Sequence, residues 1–399
     1  MTSLSAPGRC LIIPPYLLEA LTRHEDLDVA DCARRTLELE LAVRQRRQVR
    51  TARSRPGEEG RRQPGATGFI PPQVQERAEE HRREEPTGTE TGPEAQAEPQ
   101  EPSTEVVGPS RQVYDAEHGT DLPGLLVRRE GEQSSNDEPV NQAYDGLGQT
   151  WEFYWEAYDR NSVDGRGLTL VASVHYSEKF DNAFWDGEQM VFGDGDGVYF
   201  NEFTGCLDVI GHELTHGVTQ YTAGLTYVGQ SGALNESVSD AFGSCVKQMA
   251  LGQAAEQADW LIGEGLFTKK VHGVALRSMK APGTAYDDPH LGKDPQPGTM
   301  SGYVDLPHDE QHDNGGVHTN SGIPNHAFYL ASTAIGGDTW EGAGQVWYDV
   351  LTGDQVPKDV DFAGFARATV DAAGKRFGAD SGEARAVQDA WVQVEVLRG

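Results

Sequence analysis

The segment Gly211-His212-Glu213-Leu214-Thr215-His216 sets two histidines four residues apart, with a glutamate directly after the first. On an α-helix, residues i and i+4 lie one turn apart on nearly the same face, so both imidazoles can reach a single ion. Zinc takes such nitrogens at ~2.0–2.1 Å. Glu213 projects beside that ion rather than onto it, which suits a general base acting on a metal-activated water. His-Glu-x-x-His on a helix is a recognised signature of this chemistry. Catalytic zinc sites commonly use three protein ligands and leave one position open. The run Gly232-Ala233-Leu234-Asn235-Glu236-Ser237-Val238-Ser239-Asp240 offers Glu236 as the third. Asp240, one helical turn further on, can accept a hydrogen bond from the free ring nitrogen of a bound histidine.

Two neighbouring helices must carry these groups, and amphipathic patterns over 206–221 and 233–250 supply them. Similar patterns recur over 322–335 and 361–376, and a last helix holds Ala390 and Trp391. Residues 151–203 alternate apolar and polar positions, as in LTLVASVHYS and QMVFGDGDGVYF, and read as strands with Gly-rich turns. Strands first and helices after predict an α+β enzyme in two lobes, 111–225 and 226–399. Residues 1–50 read as a small helical unit. Leu17, Leu18 and Leu21 share one face, and Leu37, Leu39, Leu41 and Val43 another. Fifty residues bury little core, so this unit must pack on something else. Residues 51–110 are rich in Pro, Gly, Glu, Arg and Thr and predict a disordered linker.

Hydrophobic residues make up 37% of the 399, and the formal net charge is −30. That charge excludes nucleic acid and anionic membrane as partners. Every lysine lies beyond residue 112, so the two ends differ in composition. The cysteines, Cys10, Cys32, Cys206 and Cys245, show no metal-binding spacing. Reduced, partly buried thiols are expected, with a Cys10–Cys32 or Cys206–Cys245 disulfide left open. Pro14 and Pro15 interrupt the only early apolar run, so neither a signal peptide nor a membrane span is expected. The expectation is a cytoplasmic protein, or one exported by a non-classical route.

HELTH, TAGLTY and GALNESVSD resemble the thermolysin family of zinc metalloproteases, the gluzincins, from about residue 111 to the end. The resemblance implies a thermolysin-like two-lobed catalytic domain with zinc in the interlobe cleft. It implies His212, His216 and Glu236 as zinc ligands, Glu213 as base, and Asp240 supporting a ligand. Asp313-Asn314-Gly315-Gly316-Val317-His318 resembles a family motif in which His318 donates to the oxyanion and Asp313 holds it protonated. Tyr227 matches a second donor. Arg277, in Leu276-Arg277-Ser278-Met279, matches the residue that grips a substrate carbonyl. Asn182-Ala183-Phe184-Trp185 resembles the edge strand that binds substrate by β-augmentation. Phe200, Phe203, Val209, Ile262 and Leu276 match the primed-side pocket, which implies cleavage before bulky hydrophobic residues.

Asp208, Asp259 and Glu264 match calcium ligands of the family, while Lys247 and Leu261 replace two acidic ones. The resemblance therefore implies at most one calcium there. Cys10-Leu11-Ile12-Ile13-Pro14-Pro15-Tyr16 resembles the short propeptide of the protealysin-like branch, which packs on the catalytic domain of an inactive precursor. Arg111-Gln112-Val113-Tyr114-Asp115-Ala116 resembles the start of that branch's mature enzyme. The long stretch between is a departure and leaves the maturation point open within 50–111. Cys10 has two readings: a thiolate in the open zinc position, or a packed apolar residue. Expected partners are peptide substrates, the chain's own propeptide and a proteinaceous inhibitor, with the enzyme a monomer. A non-catalytic zinc module is the competing reading. The presence of Glu213, His318 and Arg277 argues against it.

Overall fold

Short apolar runs build the sheet. A computed structural model describes residues 10–53 and 107–398, with side chains described for 11–40 and 107–398. Most of the predicted linker at 51–110, and the Cys10 side chain, lie outside the described residues. The strands are β1 (Cys10–Leu11), β2 (Arg111–Asp115), β3 (Leu125–Arg129), β4 (Leu170–Val174), β5 (Ala183–Trp185) and β6 (Met190–Phe192). They form one six-stranded sheet in the order β1-β5-β6-β4-β2-β3. The central strands β6, β4 and β2 run parallel, and the outer pairings are antiparallel. Every residue of β5 and β6 is buried, as expected of apolar runs that face packed layers on both sides.

The N-terminal unit folds as α1 (Pro15–Leu21) and α2 (Leu27–Arg53). Pro15 sits in the first turn of α1, where its missing N–H costs nothing. Leu17, Leu18 and Leu21 are buried, as their spacing predicts. On α2 the buried positions among the described side chains are Val29, Ala30, Cys32, Ala33, Thr36 and Glu40, whereas Leu37 and Leu39 are only half-buried. Leu41 and Val43 lie outside the described side chains. Burying Thr36 and Glu40 requires polar partners, and the Asp181 amide and the Asn182 side chain supply them.

Residues 151–158 correct the strand reading. They close α3 (Glu138–Tyr158). Trp151, Phe153 and Trp155 do alternate in sequence. Val140, Ala143, Tyr144, Leu147, Trp151 and Tyr154 recur every three or four residues, and that longer period decides the fold. The predicted helices at 206–221, 233–250 and 322–335 form as α4 (Leu207–Tyr221), α5 (Gly229–Leu251) and α7 (Gly322–Ile335), and a helix the sequence reading did not include, α6 (Asp313–Asn320), precedes α7. After these come α8 (Ala343–Thr352), α9 (Phe362–Phe377) and α10 (Gly382–Gln393). The sequence reading passed over α8. Its Trp347 stacks on Trp391 of α10 with ring centroids 5.9 Å apart, at the centre of the helical lobe. A two-residue strand pair, β7 (Leu261–Ile262) and β8 (Arg277–Ser278), lies between α5 and α6 in sequence. The fold is α+β, as expected.

Cys32, Cys206 and Cys245 are buried free thiols, so no Cys206–Cys245 bond forms. Among the described residues, no helix is long and apolar enough to cross a membrane.

Candidate metal centre and substrate cleft

Helices α4 and α5 can carry one site only if their backbones come close. A Cβ at Gly243 would lie 2.4 Å from the Asp208 carbonyl oxygen and 3.0 Å from the His212 nitrogen. A Cβ at Gly211 would lie 3.1 Å from the Gly243 Cα. Two glycines facing each other thus let α5 lie directly against the His-Glu-x-x-His turn. The sequence reading missed both. A glycine inside a helical pattern was the available signal.

His212, Glu213, His216, Glu236 and Asp240 are all buried. Nδ1 of His212 faces Asp240 Oδ1 at 2.8 Å. That carboxylate also receives Arg277 Nη2 at 2.8 Å, while its Oδ2 receives Arg277 Nε and Asn325 Nδ2, each at 2.8 Å. Burial alone would raise the Asp240 pKa, but Arg277 and His212 hold it well below the usual carboxylate range. A charged carboxylate accepts only, so Nδ1 of His212 carries the proton. Nδ1 of His216 likewise donates to Asn235 Oδ1 at 2.8 Å. The Nε2 lone pairs are therefore bare, yet they face each other at 2.9 Å. Glu236 oxygens lie 3.5 Å from each of them, and its Oε2 is buried without a hydrogen-bond partner. Two lone pairs and a carboxylate converging in a dry site repel one another unless a cation lies between them. Two imidazoles and one carboxylate are the donor set zinc takes in hydrolytic sites. The residues fit the ion.

Glu213 stands beside this point. Its Oε2 accepts from the Trp185 amide at 2.9 Å, and its Oε1 is buried without a partner. Burial, then the charge of Glu236, pushes its pKa well up. His318 arrives from the last turn of α6, whose opening residues Asp313, Asn314, Gly315 and Gly316 all hold positive φ. That left-handed turn swings the Asp313 carboxylate back onto His318, 2.6 Å from Nδ1 and 2.9 Å from the backbone nitrogen. Gly315 has no substitute there, because a Cβ would meet the His308 ring at 2.7 Å at φ +90°. Burial works against the His318 cation, but Asp313 and Glu236 outweigh it and push its pKa up to about 9. The Tyr227 hydroxyl donates to Glu236 Oε1 and lies 3.4 Å from His318 Nε2.

Models of two thermolysin metallopeptidase domains match the chain: the catalytic domain over residues 98–220 and the alpha-helical domain over 223–396. The chain is 55% identical over 287 residues to an extracellular metalloprotease of Pectobacterium carotovorum subsp. carotovorum, covering 72% of this chain and 81% of that one. It is 51% identical over 286 residues to Protease PrtS of Photorhabdus sp. (strain Az29), covering 72% and 76%. The solved precursor of protealysin, a metalloproteinase from Serratia proteamaculans, superposes with a TM-score of 0.77 at 48% identity over 97% of this chain and all of that one. The chain belongs to the thermolysin metallopeptidase family. It is protealysin-like, and it is a metalloendopeptidase of a zinc-dependent family.

In this thermolysin-family chain the N-terminal segment lies in the cleft. Strand β1 adds antiparallel to β5, with Cys10 opposite Trp185 and Leu11 opposite Phe184. The Ile12 amide donates to the Ala183 carbonyl at 3.2 Å. Asn182 accepts from the Ile13 amide at 3.0 Å and donates to the Ile13 carbonyl at 3.3 Å. Arg277 Nη1 donates to the Ile12 carbonyl at 3.2 Å, and His318 Nε2 donates to the Leu11 carbonyl at 2.8 Å. Leu11, Ile12 and Ile13 are fully buried. Ile12 and Ile13 join the core cluster that contains Phe200, Phe203, Val209, Ile262 and Leu276. Glu40 of α2 accepts from Asn182 Nδ2 at 2.7 Å, a contact no sequence motif announced.

The three acids read as calcium ligands surround an ammonium instead. Lys247 Nζ lies 3.5 Å from Asp208, 2.8 Å from Asp259 and 3.4 Å from Glu264.

Proposed function

We propose that this endopeptidase hydrolyses peptide bonds at His212, His216 and Glu236, and that its own N-terminal segment blocks the cleft in the precursor. The convergence of two bare Nε2 atoms and the Glu236 carboxylate on one buried point carries the reading. Zinc held there supplies a Lewis acid and lowers the pKa of the attacking water. Glu213 Oε1 takes the proton of that water and returns it to the departing nitrogen. His318 Nε2, charged through Asp313, donates to the oxyanion, with Tyr227 beside it. The Ala183 carbonyl receives the amide after the scissile bond, and Arg277 holds the next carbonyl. Asp240 fixes both His212 and Arg277, which couples metal support to substrate grip.

Ile12 sits where the residue after the scissile bond would sit, among apolar groups. That supports a preference for bulky hydrophobic residues at this subsite. The segment meets the oxyanion donor, the edge strand and Arg277 at once, so no substrate can enter while it is bound. Lys247 takes the place of a cation among Asp208, Asp259 and Glu264, which supports a chain that needs no calcium there.

Hydrolysis of a furylacryloyl dipeptide by processed enzyme tests the central reading. 1,10-Phenanthroline should abolish it and zinc should restore it. Equal rates with and without the chelator refute the metal-dependent mechanism.

A further inference from the structure

A second set of donors lies away from the cleft, at the carboxyl ends of the three parallel strands. His118 follows β2, His175 follows β4 and Asp194 follows β6. Because β2, β4 and β6 are neighbours and run the same way, their exits place three loops side by side. The His118 amide donates to the His175 carbonyl at 2.9 Å, which locks two of those loops together. His118 and His175 both hold left-handed backbone, φ +57° and φ +54°, a region that residues other than glycine seldom adopt.

One ligand atom from each of the three residues lies within 4.8 Å of the others. Asp194 Oδ1 is 2.8 Å from His175 Nδ1, and Asp194 Oδ2 is 3.5 Å from His118 Nδ1. The far nitrogen of His175, Nε2, faces Asp137 Oδ2 at 3.0 Å. A histidine with one nitrogen in a donor cluster and the other on a carboxylate is the usual arrangement of a metal-bound imidazole. Asp137 is the N-cap of α3, so its position is fixed by the fold. Glu202 lies near enough to feel the charges of Asp194, Glu138 and Asp137, so negative charge gathers around the two imidazoles. His118 is 60% exposed and His175 16%, which leaves an entry path and room for water ligands.

We propose that His118, His175 and Asp194 bind a second divalent cation of the zinc type, with Asp137 orienting His175 through its Nε2 hydrogen. Mixed nitrogen and oxygen donors select zinc, nickel or cobalt over calcium and magnesium, which prefer all-oxygen sites. The ion would staple the exits of three strands and stabilise the sheet that holds the cleft. A proton bridging Asp137, His175 and Asp194 is the competing occupant.

Equilibrium dialysis of the full chain against excess zinc, followed by metal analysis, decides between them. The account predicts one more bound zinc per chain in the wild type than in His118→Ala. Asp194→Asn should lose the same ion. Zinc should also raise the melting temperature of the wild type beyond that of either variant, since binding to the folded state stabilises it. Both variants should keep their peptide hydrolysis within about twofold, because neither residue touches the cleft. Equal zinc stoichiometry in wild type and both variants overturns the site, whatever the catalytic activity. Loss of hydrolysis with unchanged stoichiometry also overturns it.

Discussion

Glu213 enters the site with one oxygen fixed by the Trp185 amide and the other bare and buried. That geometry aims a single basic atom at the space beside the two histidines. Glu213→Gln keeps the shape and removes the base. Hydrolysis should fall by about 10²–10⁴-fold while metal analysis still finds the catalytic zinc. Full activity in that variant contradicts the assignment. Asp240→Asn weakens the hold on the His212 Nδ1 proton and on Arg277 together. Zinc affinity should drop about 10–100-fold, measured by competition with a chromophoric chelator. These groups were legible because their chemistry is local: one helical turn fixes His212, Glu213 and His216, and another fixes Glu236 and Asp240. Asn325 also donates to Asp240, from a helix far along the chain. No sequence spacing encodes that contact. Only the packing of α7 on α5 creates it.

Between elements, two approaches set the site. The first is α4 on α5 through Gly211 and Gly243. Gly243→Ala drives a methyl to 2.4 Å from a backbone oxygen. Overpacking of that kind costs about 1–3 kcal/mol. A lowered urea midpoint with reduced activity is expected, and an unchanged midpoint would show that the helices can spread freely. The second approach is β1 on β5. Ile12→Asp puts an unpaired charge where a buried isoleucine sat, removing ~1.5–3 kcal/mol of burial. The intact precursor should then hydrolyse peptide about tenfold faster or more, with mass spectrometry confirming an uncut chain. No gain in that variant contradicts the blocking role. The helical lobe was largely readable because its amphipathic periods are long. Alternating aromatics disguised the end of α3 as strand until its fuller period was packed. The buried polar face of α2 was unreadable, since Thr36 and Glu40 go inside only because Asp181 and Asn182 meet them.

Across the whole molecule, acidic surplus is managed by basic groups in fixed places. The net charge of −30 would favour cation uptake at many points. Lys247 supplies its own positive charge among Asp208, Asp259 and Glu264. Lys247→Glu replaces that ammonium with a further oxygen ligand. The variant should melt lower without calcium and recover on its addition, while the wild type should show little calcium response in the same scans. A calcium-dependent wild type contradicts that reading. Everything catalytic returns to the point between α4 and α5. An anomalous difference map at the zinc edge, from crystals of zinc-equilibrated protein, tests it most directly. The account predicts a peak bonded to His212 Nε2, His216 Nε2 and a Glu236 oxygen at ~2.0–2.2 Å. No density between those three side chains after zinc equilibration would contradict it.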